Sequence, residues 1–458
     1  MKKRRLFSIM AASVLAVSLL AGCGGKSATA DGQTDKAEAQ AQSGQSSEKK
    51  VLRVWLEKVF SDDANTFLQK RVEQYAQEKG VEVQFEFLSA TDFVPKLNAA
   101  IEAGSNIPDI TLTSGNRALN YYPNIPNVDV TELVDEINEK RPYFDSVYEG
   151  AKYGGVNYFV PFTSSTCLMF VRTDMLEAKG ITKYPETWDE VFEVAEKVAD
   201  PDNGIYGLGI GCGPTDEDCE NTFRTLLWNY GAYLFNEEGG PAVPNEKTKA
   251  MIEKYADLYN KEIIPPSATT WDPGGNNTTY LMGESAIVFN APTLYNALKA
   301  DEAYKEIFEN TVALNMPDGP DNSQHMGFIT GWQIMNSRIN TRHLLIPCLH
   351  RVMMLDKDWQ NSYLEITAPV FAPIFKDAEE NDFWKEGINA QVVAYAKNAG
   401  GYYGYPAKTL DGMVVGIKHY FTYPVAEMLN SVVTGAATPE QAMEKMNADI
   451  KEISESIK

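Results

Sequence analysis

A chain of 458 residues is too long for one hydrophobic core, because single cores stop growing at ~250–300 residues, so two lobes are expected. Its 63 acidic against 41 basic residues give a formal charge of −22, which excludes nucleic acid and anionic lipid headgroups as partners of the folded body. With so many carboxylates, proximity of two acids in sequence carries no signal of catalysis.

In chain order, Lys2, Lys3, Arg4 and Arg5 precede an apolar stretch from Leu6 to Leu20, the build of a secretory signal. The stretch falls short of the ~20 apolar residues that a membrane span requires. It closes on Leu20-Ala21-Gly22-Cys23, which resembles the lipobox of bacterial lipoproteins. That resemblance implies a signal peptide over 1–22 and a mature chain that starts at a lipidated Cys23. Gly24 to Lys50 contains no aromatic residue and no Leu, Ile, Val or Met, so nothing there can join a core. Residues 23–50 are expected to be a flexible tether with a mean span of ~30 Å. Membrane attachment is then through the lipid alone, with the body facing outward.

The body opens with the short apolar strand Val51 to Leu56. Phe67, Leu68, Val72, Tyr75 and Ala76 recur at helical spacing up to Gly80. Val81, Val83, Phe85 and Phe87 alternate with Glu82, Gln84 and Glu86, the pattern of a half-buried strand. A helix over Phe93 to Ala103 and a strand over Ile107 to Leu112 complete an alternation that predicts an α/β sheet. Ligands of such sheets sit beyond the carboxyl ends of the strands, which here places Glu57 and the loop Ser114-Gly115-Asn116-Arg117 at a crevice. Two further strand-like runs, 158–162 and 167–171, are joined by the polar link Thr163 to Thr166. Thr187-Trp188-Asp189-Glu190 and Thr438-Pro439-Glu440-Gln441 are capping boxes, each opening a helix.

Cys167, Cys212, Cys219 and Cys348 are too few for a disulfide scaffold in a body of this size. Cys212 and Cys219 flank a Gly-Pro-Asp-rich loop and make either one small disulfide or two free thiols. His325, His343, His350 and His419 are not placed to complete a zinc site, so no metal and no cofactor are expected. A nucleophile elbow, a P-loop, an HExxH helix and a dinucleotide glycine pattern are all missing from the sequence, and an enzyme is not expected.

Several segments taken together resemble family-1 extracellular solute-binding proteins of bacterial ABC importers, the group that includes maltose-binding protein. They are Gly104-Ser105-Asn106-Ile107-Pro108-Asp109-Ile110, Val160-Pro161-Phe162, Thr187 to Glu190, Gly283 to Ile287, Met316 to Pro320, Gly327 to Gly331 and Thr438 to Ala442. No single segment is specific; their order and spacing are. The resemblance implies a two-lobed α/β fold of the type II periplasmic-binding-protein class, with crossover segments, a cleft between the lobes and hinge closure on the ligand. Crossovers are placed near 163–166, 327–332 and 369–376. Lobe one is then 51–163 plus 331–372, and lobe two 165–326 plus 376–458. A monomer that hands its ligand to a membrane permease is implied.

The resemblance also implies contact residues. Asn116 and Arg117 match positions that hydrogen-bond sugar hydroxyls in the family. Ser165 replaces an acid of the first crossover, and Asn290 opens Asn290-Ala291-Pro292-Thr293, where Thr293 replaces a stacking Trp. A carbohydrate cleft pairs polar side chains with rings that cover the sugar's CH face. Trp271, Trp332 and Tyr403, with its neighbours Tyr402 and Tyr405, stand in loop-like, Gly-rich settings suited to this. Receptors for a polyamine, a peptide or a sugar phosphate remain open beside the sugar reading. A glycosidase would need two carboxylates ~5–10 Å apart, and the sequence singles out no such pair.

Overall fold

A computed structural model describes residues 51–336, 341–400 and 402–458. The signal segment 1–22, Cys23 and the tether up to residue 50 lie outside the described residues. The described residues hold ten strands: β1 (Val51–Glu57), β2 (Glu82–Leu88), β3 (Ile110–Ser114), β4 (Val160–Ser165), β5 (Leu168–Arg172), β6 (Tyr206–Gly209), β7 (Ser285–Asn290), β8 (Thr311–Leu314), β9 (Phe328–Ile334) and β10 (Phe371–Ala372). They form two sheets, one in the order β10-β4-β9-β3-β1-β2 and the other in the order β6-β7-β5-β8. This is the two-lobed type II α/β architecture.

In the first sheet β2, β1 and β3 run parallel, while β9 is antiparallel to both β3 and β4. Parallel strands covered on both faces read as near-continuous apolar runs. β3 is such a strand, with Ile110, Thr111, Leu112 and Thr113 all buried. β2 lies at the sheet edge, and the charged and polar residues of its alternating pattern face outward. The helix Asp62–Glu78 follows β1; the Ser61 side chain accepts from the Ala64 amide at its start, and Gly80, at φ 65°, turns the chain after its end. Its buried face is Leu68, Val72, Tyr75 and Ala76.

Both capping boxes form. Thr187 Oγ1 accepts from the Glu190 amide at 3.3 Å while Glu190 accepts from the Thr187 amide at 3.3 Å, and Thr438 and Gln441 do the same at 3.3 and 2.9 Å. The polar link 163–166 differs from its reading as a loop. β4 runs through it to Ser165, because Thr163, Ser164 and Ser165 pair with Thr330, Ile329 and Phe328 of β9 across an irregularity after Pro161. The chain passes to the second sheet between Ser165 and Leu168, returns between Leu314 and Phe328, and leaves the first sheet again after Ala372. Among the described residues no helix is long and apolar enough to cross a membrane.

The second sheet is packed closely enough to test. A Cβ at Gly207 of β6 would lie 2.0 Å from the carbonyl oxygen of Ala195 in the helix Trp188–Val198. Backbone meets backbone there, so no side chain can swing aside. Gly207→Ala is expected to destabilise the fold by about 1–3 kcal/mol, read as a lower urea midpoint with an unchanged slope.

Candidate functional site

β1 and β3 are neighbours, and their carboxyl ends deliver Glu57 and Ser114 to one place. The chain then turns into the short 3-10 segment Gly115–Tyr121, which carries Asn116 and Arg117. Gly115 is required at this turn, because a Cβ there would fall 2.3 Å from the ring of Phe159. The result is one wall of a cleft of about 400 Å³. Its other residues on or beside the first sheet include Thr113, Phe162, Thr163, Ser165, Thr330, Tyr363 and Phe371, while Glu217, Tyr403 and Phe421 face it from the helix Glu217–Asn229 and the segments that flank the helix Leu410–Tyr420. The size falls within the ~300–1,000 Å³ of small-molecule sites.

Both cations of the lining, Lys58 and Arg117, are paired within the protein. Arg117 Nη2 lies 3.0 Å from Glu57 Oε2, and Thr113 Oγ1 donates to Glu57 at 2.5 Å. Lys58 pairs outward with Asp62 at 3.0 Å. Glu217, the first residue of the helix Glu217–Asn229, accepts from the Tyr420 hydroxyl at 2.8 Å. Ser114 Oγ donates to Asn116 Oδ1 at 3.0 Å, and the Asn116 side chain in turn reaches the Tyr403 phenol from the other lobe. Burial pushes the Tyr403 phenol up, so it stays a protonated donor. Aromatic rings cover much of the rest. Phe60 and Phe371 meet edge to face at 5.9 Å, and Phe60 and Phe421 remain 50% and 44% exposed at the rim. The arrangement offers hydrogen-bond donors and acceptors fixed in place, flat apolar surfaces and no unpaired cation among these lining side chains.

Five residues expected from sequence, Glu57, Asn116, Arg117, Ser165 and Tyr403, are brought together here. Three others lie away from the lining. Trp332 sits inside β9 between Leu112 and Val160, buried at 5.8 Å from Phe162, because β9 continues beyond the crossover that was expected to expose it. Trp271 is buried under Gly211, Gly213 and Gly275, and its Nε1 donates to Ser267 at 3.2 Å. Asn290 ends β7 and donates to Asp218 at 3.2 Å and to Asn276 at 3.1 Å, a buried polar network rather than a surface. Sequence reasoning missed Glu217, whose only mark is its place at the start of a helix. It also missed Phe60, Phe371 and Phe421, single rings at element ends with no pattern around them.

Cys167, Cys212, Cys219 and Cys348 are free thiols. Among the described residues no cluster of three or more His, Cys, Asp or Glu side chains could hold a metal ion. A wider groove of about 810 Å³ lies elsewhere between the lobes, lined by Glu149, Lys152, Tyr233, Glu237, Tyr402 and Lys408 among others.

Near the network under β7, Asp216 caps the helix Glu217–Asn229 by accepting from the Cys219 amide at 2.9 Å. Burial raises its carboxyl to about 7. A folded pKa above the unfolded ~3.9 means that the native state holds the proton longer, so this contribution is complete below pH ~4 and is lost as pH rises towards 7. Asn is as good an N-cap as Asp. Asp216→Asn is therefore expected to remove about 2 kcal/mol of the loss of stability between pH 5 and pH 8, measured by urea unfolding at both pH values.

The profile of the bacterial extracellular solute-binding proteins matches residues 61–333. A binding protein of Brucella abortus (strain 2308) is 21% identical over 70% of this chain and 74% of its own length. The lactose-binding protein of Rhizobium radiobacter is 27% identical over 40% of this chain and 42% of its own. Among solved structures, a sugar transporter of Arthrobacter chlorophenolicus A6 with bound laminaribiose superposes with a TM-score of 0.69 at 15% identity, covering 88% of this chain and 99% of that one.

Proposed function

Because the chain belongs to the family of bacterial extracellular solute-binding proteins, we propose that it captures an uncharged saccharide in the cleft between Arg117 and Tyr403 and delivers it to the permease of an ABC importer. The observation that carries this reading is the pairing of the lining cations. Glu57 is held by Arg117 and Lys58 by Asp62, which leaves no spare cation for a phosphate, and Glu217, which accepts from the neutral Tyr420 hydroxyl, is a single carboxylate where a polyamine needs one for each amine. Such pairs and the amide of Asn116 suit hydroxyls, which both donate and accept, and the rings of Phe60, Phe371 and Phe421 suit sugar CH faces. The lactose-binding relative and the laminaribiose-bound neighbour support the same class of ligand.

Closure follows from differential affinity: a ligand that touches both lobes only when they meet shifts the population towards the closed form. We place the receptor as a monomer on the outer face of the cell membrane, held by a lipid on Cys23, and assign it no catalysis. The test is a thermal-shift panel of lactose, laminaribiose and maltotriose, against spermidine, a tripeptide and glucose 6-phosphate as contrasts. A saccharide at ~100 times its Kd is expected to add ~2.7 kcal/mol to native stability. Stabilisation by a contrast compound alone would discard the saccharide.

A further inference from the structure

The helix Glu217–Asn229 carries a stripe of polar side chains on one face, Glu217, Glu220, Asn221 and Arg224, at the i, i+3, i+4 and i+7 positions that stack along a helix. Only Glu217 reaches the cleft. Glu220 and Arg224 are fully buried, and they form an ion pair with Arg224 Nε and Nη2 at 2.7 and 2.6 Å from Glu220 Oε1. Stability alone is a poor reason for such a pair, because apolar residues of similar volume often hold a core as well. Its geometry supplies another reason. The second oxygen of Glu220 accepts from the amides of Val425 and Ala426 at 2.8 and 3.1 Å, at the start of the helix Pro424–Val433. Arg224 Nη1 donates to the carbonyl oxygen of Tyr403 at 3.0 Å, and Nη2 faces His419 Nδ1 at 3.3 Å.

Tyr403 is the ring that the second lobe sets opposite Asn116. It stacks on Tyr420 with centroids 3.8 Å apart, and the Tyr420 hydroxyl, with one proton to donate, lies 2.8 Å from Glu217 and 2.9 Å from Asn221 of the same stripe. The next residue, Gly404, lies so close to Gly416 that a Cβ on Gly416 would fall 2.2 Å from its Cα. The stripe therefore grips Tyr403 at its carbonyl and, through Tyr420, at its ring.

We propose that Arg224, which lies outside the cleft, is a positioning residue for ligand binding that acts by fixing Tyr403. The affinity part of this rests on the reading of the cleft as the ligand site; the fixing of Tyr403 does not, and the test separates them. A single 3-fluorotyrosine is placed at position 403 of the mature chain, and its fluorine resonance is recorded in the wild type, in Arg224→Lys and in Arg224→Met. Lysine can keep the charge pair with Glu220, but its three donors share one nitrogen and do not span both Glu220 and the Tyr403 carbonyl as the guanidinium fork does. The resonance is expected to move or broaden in both variants while Arg224→Lys stays folded; if Arg224→Met does not fold, Arg224→Lys decides. Whichever of lactose, laminaribiose and maltotriose binds the wild type is expected to bind Arg224→Lys about tenfold more weakly, and the same change in a Tyr403→Ala background is expected to add no further loss. An unchanged resonance in folded Arg224→Lys overturns the proposal, as does an equal loss of affinity with and without Tyr403. If none of the three sugars binds the wild type, the reading of the cleft fails and the resonance alone decides the role of Arg224.

Discussion

Glu220→Ala is expected to lower the unfolding free energy by about 3–5 kcal/mol, the largest effect on stability among the substitutions considered, because it strands a fully buried guanidinium. The polar groups left beside Arg224 are the Tyr403 carbonyl and His419. Neither replaces the carboxylate: burial holds the His419 imidazole well below its ordinary pKa, so it is neutral. The amides of Val425 and Ala426 lose their acceptor at the same stroke, at a helix end where first-turn donors have no partner within the helix. The control is Glu220→Met with Arg224→Met, which removes both charges and keeps much of the volume. It is expected to recover most of the loss, because the severe cost is that of one uncompensated charge. Urea unfolding of the three proteins reads this directly, and a single variant no less stable than the double would contradict it.

The second large effect concerns binding. Arg117→Met is expected to weaken saccharide binding by about 2–5 kcal/mol, which is ~30-fold or more, while moving the melting temperature little. Arg117 and Glu57 are partly exposed on the cleft wall, with side-chain exposures of 17% and 24%, so water can rescue Glu57 in the free protein but not once a ligand seals the site. The loss should therefore fall on the complex. Titration calorimetry with a saccharide from the panel measures it, and a Kd within twofold of the wild type would remove Arg117 from the site.

Much of this architecture was legible in the sequence, for local reasons. The caps at Thr187 and Thr438, the strand from Val51 and the helix that ends before Gly80 depend on residues a few positions apart, and all form as read. So does the convergence of Glu57 with Asn116 and Arg117, because it follows from the carboxyl ends of neighbouring parallel strands. What sequence could not supply is decided by contacts far apart along the chain. Trp332 looks like a ring in an exposed Gly-rich crossing, but β9 takes it into the core against Phe162. Trp271 has the same appearance and is covered by three glycines whose closeness only the fold produces. Phe421 became a rim residue because the helix Leu410–Tyr420 ends beside the cleft, which no spacing in the sequence encodes. The pair of Glu220 and Arg224 could be read as an ordinary i, i+4 surface bridge; its burial comes from helices that follow some 200 residues later.

Whether the saccharide sits between Arg117 and Tyr403 is measured directly by a crystal structure of the mature chain with the saccharide that stabilises it most in the panel. One sugar is expected in the cleft of about 400 Å³, hydrogen-bonded to Glu57, Asn116 or Arg117 on one side and to Glu217 or Tyr403 on the other. A sugar ordered only in the groove beside Lys152 and Tyr233, with the cleft filled by solvent, would contradict it.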